Sequence, residues 1–120
     1  MEDGTLKDVE PAEVFKYFEK ISSIPRGSGN EKGISDYLVS FAKKHGLDVI
    51  QDDALNVVIK APGSKGYENS PGIVIQGHMD MVCEKKPGTE HDFMVDPIEL
   101  KVVDDMLYAS GTTLGADDGI

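Results

Sequence analysis

A histidine and an aspartate stand two apart at the end of a short apolar run, Gly72-Ile73-Val74-Ile75-Gln76-Gly77-His78-Met79-Asp80. A neutral imidazole is a good Zn²⁺ ligand, binding at about 2.0–2.1 Å. Its other ring nitrogen needs a partner that fixes tautomer and orientation, and carboxylates commonly supply one. Side chains two apart on extended backbone share a face. Asp80 is therefore placed to hold His78 rather than to ligate a metal itself. The alternative is a strand-end histidine hydrogen-bonded to a nearby acid, and a His-x-Asp spacing alone does not choose between the two.

A second chemical candidate closes the chain, Gly111-Thr112-Thr113-Leu114-Gly115-Ala116-Asp117-Asp118-Gly119-Ile120. Gly115 and Ala116 allow close backbone approach to a metal or substrate. One carboxylate of the Asp117-Asp118 pair could bridge two cations. Two metals about 3.5–4 Å apart polarise a scissile carbonyl and make a shared water more acidic. The competing reading is ordinary capping of a helix N-terminus by Asp-Asp-Gly.

Other reactive residues carry less. His91 lies in a polar loop and is expected at the surface. His45 falls near a helix end, where it favours the dipole. Cys83 is near His78 and Asp80, but a lone thiol is more often a small packing residue. The sequence contains no Gly-x-Gly-x-x-Gly, no P-loop and no Gly-x-Ser-x-Gly, so dinucleotide, phosphoryl-transfer and serine-hydrolase chemistry lack support.

The elements that must position these groups are read from periodicity. Val14, Tyr17, Phe18 and Ile21 share one helical face, with Pro11 in the first turn and Pro25 and Gly27-Ser28-Gly29 ending the helix. Asn30 can cap a second helix, with Glu31 in its first turn. Ile34, Tyr37, Leu38, Phe41 and Ala42 form its buried stripe, and Gly46 follows as a stop. Strands are expected at residues 47–51, 56–61 and 72–77. The Ile73-Val74-Ile75 run does not alternate, so that strand is expected to be buried on both faces. Residues 62–71 read as an exposed turn and 83–97 as a long polar loop. A hairpin over 100–103 and 106–109 should turn at Asp104-Asp105. Two helices before a mixed central sheet indicate an α/β layer fold.

Length and composition bound the function. The 120 residues suffice for one core, and a hydrophobic content of 39% is that of a globular chain. Twenty-two acidic against 12 basic residues give a net charge of −10, which argues against nucleic-acid or anionic-membrane partners. A single cysteine excludes an intrachain disulfide and fits a reducing, cytoplasmic compartment. The acidic start lacks the pattern of a secretory leader. The second block stops where a helix should begin, so the chain is expected to be the N-terminal part of a longer one.

The run Gly77-His78-Met79-Asp80-Met81-Val82-Cys83-Glu84-Lys85 resembles the Gly-His-Met-Asp-Met-Val segment of the aminoacyl-histidine dipeptidases, or cytosolic non-specific dipeptidases. These are co-catalytic zinc peptidases, with glutamate carboxypeptidase, aminoacylase and tripeptidase T. The terminal block, Ile24-Pro25-Arg26-Gly27-Ser28-Gly29-Asn30 and Pro87-Gly88-Thr89-Glu90-His91-Asp92-Phe93 are similar to the same family, in family order. The Met-Asp-Met-Val context favours the dipeptidase branch over a related tripeptidase or amidohydrolase. A non-catalytic binding module that kept the fold is the alternative from another class.

The resemblance implies zinc-dependent hydrolysis of dipeptides, including those with C-terminal histidine. It implies His78 as a ligand of one Zn²⁺, Asp80 as the active-site acid that orients the imidazole, and Asp117 as the carboxylate bridging two Zn²⁺. Asp118 is left to backbone geometry. Co²⁺ or Mn²⁺ could serve in place of zinc. A glutamate general base, the remaining ligands and a lid and dimerisation domain are expected beyond residue 120. The chain alone, residues 1–120 of a catalytic domain, is then expected to be inactive, and its uncovered sheet edge to be covered by another copy or by residues cleaved from it but still bound. At full length a homodimer is expected.

Overall fold

The computed structural model describes residues 4–115. Helices α1 (Ala12–Ser22) and α2 (Lys32–Lys44) precede strands β1 (Asp48–Gln51), β2 (Val57–Lys60), β3 (Leu100–Val103) and β4 (Met106–Ala109). The α/β class holds. In place of one mixed sheet, the described strands form two separate antiparallel pairs, β1–β2 and β3–β4.

Helix α1 begins at Pro11, which serves as N-cap rather than as a first-turn residue. Glu13 in the first turn and Lys20 in the last both suit the helix dipole. Ile21 is buried, whereas Val14 is 61% exposed, so the inward stripe starts one turn later than the spacing suggests. Glu19 reaches back to the chain before the helix, accepting hydrogen bonds from Thr5 N (2.6 Å) and Leu6 N (3.2 Å).

Helix α2 is capped differently from expectation. Glu31 is the N-cap residue, without a side-chain capping bond. Its carboxylate instead accepts from Gly29 N at 2.6 Å, while Asn30 donates to the carbonyl of Met94 at 3.3 Å. The C-terminus matches the reading. Gly46 adopts φ +67°, and Gly46 N and Leu47 N donate to the carbonyls of Lys43 and Ala42, the reverse turn that a left-handed residue permits. His45 places Nδ1 2.8 Å from the Phe41 carbonyl.

Ile34 and Ala42 are fully buried and anchor α2. Ser35 fastens the helix to the first hairpin: its hydroxyl donates to Leu55 O at 2.7 Å and accepts from Gln51 Nε2 at 2.8 Å. Tyr17 meets Phe41 edge to face with centroids 5.5 Å apart, joining the two helices. Pairing of β1 with β2 runs from Asp48↔Lys60 to Gln51↔Val57. Pairing of β3 with β4 runs from Leu100↔Ala109 to Val103↔Met106. Asp104 and Asp105 both have positive φ, 48° and 62°. That is the primed two-residue turn whose twist matches the strands, and aspartate tolerates it better than most residues. Ile98 is buried and donates its N–H to Ser22 O at 3.0 Å, closing the long loop back onto the end of α1.

The expected strand at 72–77 is a correction. No strand is formed there, and Ile73, Val74 and Ile75 are 87%, 90% and 94% exposed. A strand apolar on both faces needs paired neighbours and a covering layer on each side. The described strands pair only with each other, so the run stays extended and uncovered. Replacing Ile73 and Ile75 together by serine in this chain is expected to change the unfolding free energy in urea by less than about 0.5 kcal/mol, the range of ordinary surface changes, and to reduce self-association in sedimentation. A loss of several kcal/mol would show that the run is packed in solution.

Candidate active site

Main-chain contacts, not a sheet rim, carry His78 and Asp80. Immediately after Asp80, Met81 N donates to Arg26 O at 2.9 Å, and Gly27 and Met81 form a parallel bridge. Met81 is buried. A Cβ on Gly27 would sit 2.6 Å from Cys83 Sγ, so a side chain there would require the thiol to move.

On that support the spacing does what it promised. His78 Nδ1 lies 2.9 Å from Asp80 Oδ1 and 3.1 Å from the Asp80 carbonyl. Asp80 Oδ2 accepts from Ser28 Oγ at 2.5 Å. The Ser28 hydroxyl, and then the imidazole, hold the Asp80 carboxyl below its ordinary pKa. An ionised Asp80 is acceptor-only, so the hydrogen bond between the two side chains has Nδ1 as its donor. A carboxylate against one ring nitrogen is the partner that commonly orients a metal-binding histidine.

Arg26 joins this segment to the second block. Its side chain is buried, with 1% exposure. Nη1 donates to Met79 O at 3.3 Å and Nη2 to Gly115 O. The planar guanidinium presents its donors in a fixed fork, so one side chain spans both carbonyls. The blocks also run side by side. Thr113 N donates to Glu84 O at 2.8 Å, Thr113 Oγ1 to Val82 O at 2.7 Å, and Lys86 N to Gly111 O at 2.8 Å. Gly115, at φ +61°, leaves no room for a Cβ: one would lie 2.6 Å from Met81 Cε. Asp117 and Asp118 fall outside the described residues. Among the described residues no group of three or more His, Cys, Asp or Glu side chains could hold a metal ion. A metal would find one imidazole donor here, His78, with the Asp80 carboxylate against its Nδ1.

Two other reactive residues settle into structural places. Burial pushes the Cys83 thiol up, which keeps it protonated and a packing group. His91 is half-buried rather than on the surface, with its ring 4.5 Å from that of Phe93, and its carbonyl accepts from Lys85 Nζ at 2.8 Å. A groove of about 980 Å³ between α1 and α2 is lined by Tyr17, Tyr37, Phe41 and lysines, and by none of residues 78–84; it is remote from the imidazole chemistry. Sequence reasoning gave no site role to Arg26 or Ser28, placing Ser28 in a helix-ending stretch and both in a segment similar to the dipeptidases. The available signal was a serine between two glycines and an arginine beside them in an acidic chain.

Comparison with known proteins finds dipeptidases. The solved aminoacylhistidine dipeptidase of Vibrio alginolyticus superposes with a TM-score of 0.89 at 42% identity, over 98% of this chain and 24% of that one. The fold is that of a part of such a dipeptidase. The cytosol non-specific dipeptidase of Escherichia coli (strain K12) is 41% identical over 115 residues, 96% of this chain and 24% of its own. Along nearly its whole length the chain is a relative of these dipeptidases, and it spans about a quarter of the length of the curated relative it matches. No family model matches the chain.

Replacing Arg26 by methionine keeps an apolar stem but removes both carbonyl contacts. Hydrogen bonds to a charged group are worth about 1.5–3 kcal/mol, and a loss of stability of that size is expected in urea unfolding. Arg26→Lys should recover only part of it, because an ammonium lacks the fork. A change under about 0.5 kcal/mol for Arg26→Met would show that the guanidinium does not join the two blocks.

Proposed function

We propose that the chain is the N-terminal part of the catalytic domain of a two-zinc dipeptidase, one that cleaves the peptide bond of dipeptides, including those ending in histidine. The observation that carries this reading is the His78–Asp80 pair, with Nδ1 and Oδ1 2.9 Å apart, within a chain 41% identical to a dipeptidase. His78 Nε2 is the ligand atom. Asp80 keeps the proton on Nδ1 and fixes the orientation of the ring. Asp117, outside the described residues, would be the carboxylate shared by the two cations, and Asp118 would not ligate them. The chemistry supplied by two bound cations is polarisation of the scissile carbonyl and acidification of a water. Zinc suits imidazole and carboxylate donors, as Co²⁺ and Mn²⁺ also do.

No helix of the described residues is long and apolar enough to cross a membrane. With the cytosolic name of the Escherichia coli relative, this supports a cytoplasmic enzyme. The net charge of −10 speaks against polyanionic partners. A homodimer at the relatives' full length completes the proposal.

Catalytic zinc sites use about three protein ligands each, and His78 with Asp117 falls short of that. The purified 120-residue chain is therefore expected to show no hydrolysis of a histidine-terminated dipeptide with added Zn²⁺; turnover would contradict the ligand count. In a polypeptide of the relatives' length that contains this segment, His78→Ala should lower bound zinc and activity together. Asp80→Ala should retain more metal while losing about 10–100-fold in rate, as loss of an orienting carboxylate does. Equal metal loss in both variants, read by atomic absorption, would make Asp80 a direct ligand.

A further inference from the structure

We infer that Ser28 is a positioning residue of this site, locking the Asp80 carboxylate so that it holds His78 in the Nδ1–H tautomer. The geometry is a three-member chain. Ser28 Oγ donates to Asp80 Oδ2 at 2.5 Å, and Asp80 Oδ1 stands 2.9 Å from His78 Nδ1. Each carboxylate oxygen thus has its own partner, from a different segment of the chain.

Such a second partner matters because an aspartate turns easily about its terminal bond, whose torsional preference is broad and roughly two-fold. With one oxygen held only by His78, the carboxylate plane would follow the imidazole instead of fixing it. Ser28 removes that freedom by tying the other oxygen to a loop that is itself fixed. The loop is fixed by the Gly27–Met81 bridge and the Met81 N–H to Arg26 O bond at 2.9 Å. Asn30 N also donates to Gly27 O at 2.8 Å, closing the turn that presents the hydroxyl. Ser28 and Asp80 are 52 residues apart, so this contact depends on the tertiary fold and is not a local turn bond.

The geometry stands by itself, whereas its catalytic consequence rests on the proposed dipeptidase reading. Under that reading, Ser28 sets which imidazole nitrogen offers its lone pair to a metal, without touching metal or substrate. A stretch assigned by sequence to ending a helix becomes an outer support of the active site.

Histidine-¹⁵N labelling and two-bond ¹H–¹⁵N correlation spectra, recorded on the chain at a fixed pH above the imidazole range, read the tautomer directly. The wild type should show His78 with the proton mainly on Nδ1. In Ser28→Ala that form should fall from major to minor, with circular dichroism unchanged. Ser28→Thr keeps the hydroxyl and should restore it, which a purely structural role for the serine would not require. Asp80→Asn, which removes the accepting carboxylate, should abolish the preference. A Ser28→Ala spectrum matching the wild type, or a wild type with the proton on Nε2, would overturn the inference. Absence of dipeptide hydrolysis or zinc uptake at the relatives' length would defeat the functional reading and leave the tautomer result standing.

Discussion

The buried Arg26 guanidinium is what the candidate site depends on. It donates to the carbonyls of Met79 and Gly115, two segments that share no secondary structure. A buried charge is costly unless its donors are satisfied, so the cationic fork prefers the arrangement in which both carbonyls face it. Everything that matters chemically hangs from those two points. His78 and Asp80 flank Met79, and the second glycine-rich block ends its described course at Gly115. The glycines at 27 and 115 belong to the same constraint, since a side chain at either would collide with atoms of the facing segment.

This explains how a small structure with few buried apolar residues holds a defined local geometry. Leu6, Ile21, Ile34, Ala42, Met81 and Ile98 are the buried apolar side chains among the described residues. Helix α2 and the β1–β2 hairpin form one packed unit through Ile34, Ala42 and the Ser35 hydroxyl. The site lies outside that unit and is built from main-chain hydrogen bonds among residues 26–30, 79–86 and 111–115. Main-chain bonds are insensitive to side-chain identity, which places the chemical specificity in very few positions: the arginine, the serine, the histidine and the aspartate.

Residues whose fate is decided locally could be read from the sequence. The turn at Asp104-Asp105, the Gly46 helix stop and the His78–Asp80 contact each follow from backbone geometry over two to five residues, and each is found. Asn30 and Glu31 were misread because both can cap a helix; a remote acceptor, the Met94 carbonyl, takes the Asn30 side chain. The 72–77 run was misread for the opposite reason. Its apolar pattern reports what the segment is suited to be buried by, and in this chain nothing lies beside it. Arg26 and Ser28 were passed over because their roles exist only between segments tens of residues apart, where periodicity is silent.

The same uncovered run bears on how the site would be held at full length. Ile73, Val74 and Ile75 lead directly into His78, so whatever covers them also fixes the chain entering the imidazole. Among the described residues the exit side is tethered at Met79 by the Arg26 guanidinium and at Met81 by the Arg26 carbonyl. A ligand must be held to a few tenths of an ångström to suit a metal. The Ser28–Asp80–His78 chain contributes to this by holding the ring through its own nitrogen rather than through its backbone. Pairing of the 72–77 run on its two edges would supply the second backbone anchor, so covering that apolar surface and sharpening the imidazole position are one structural event.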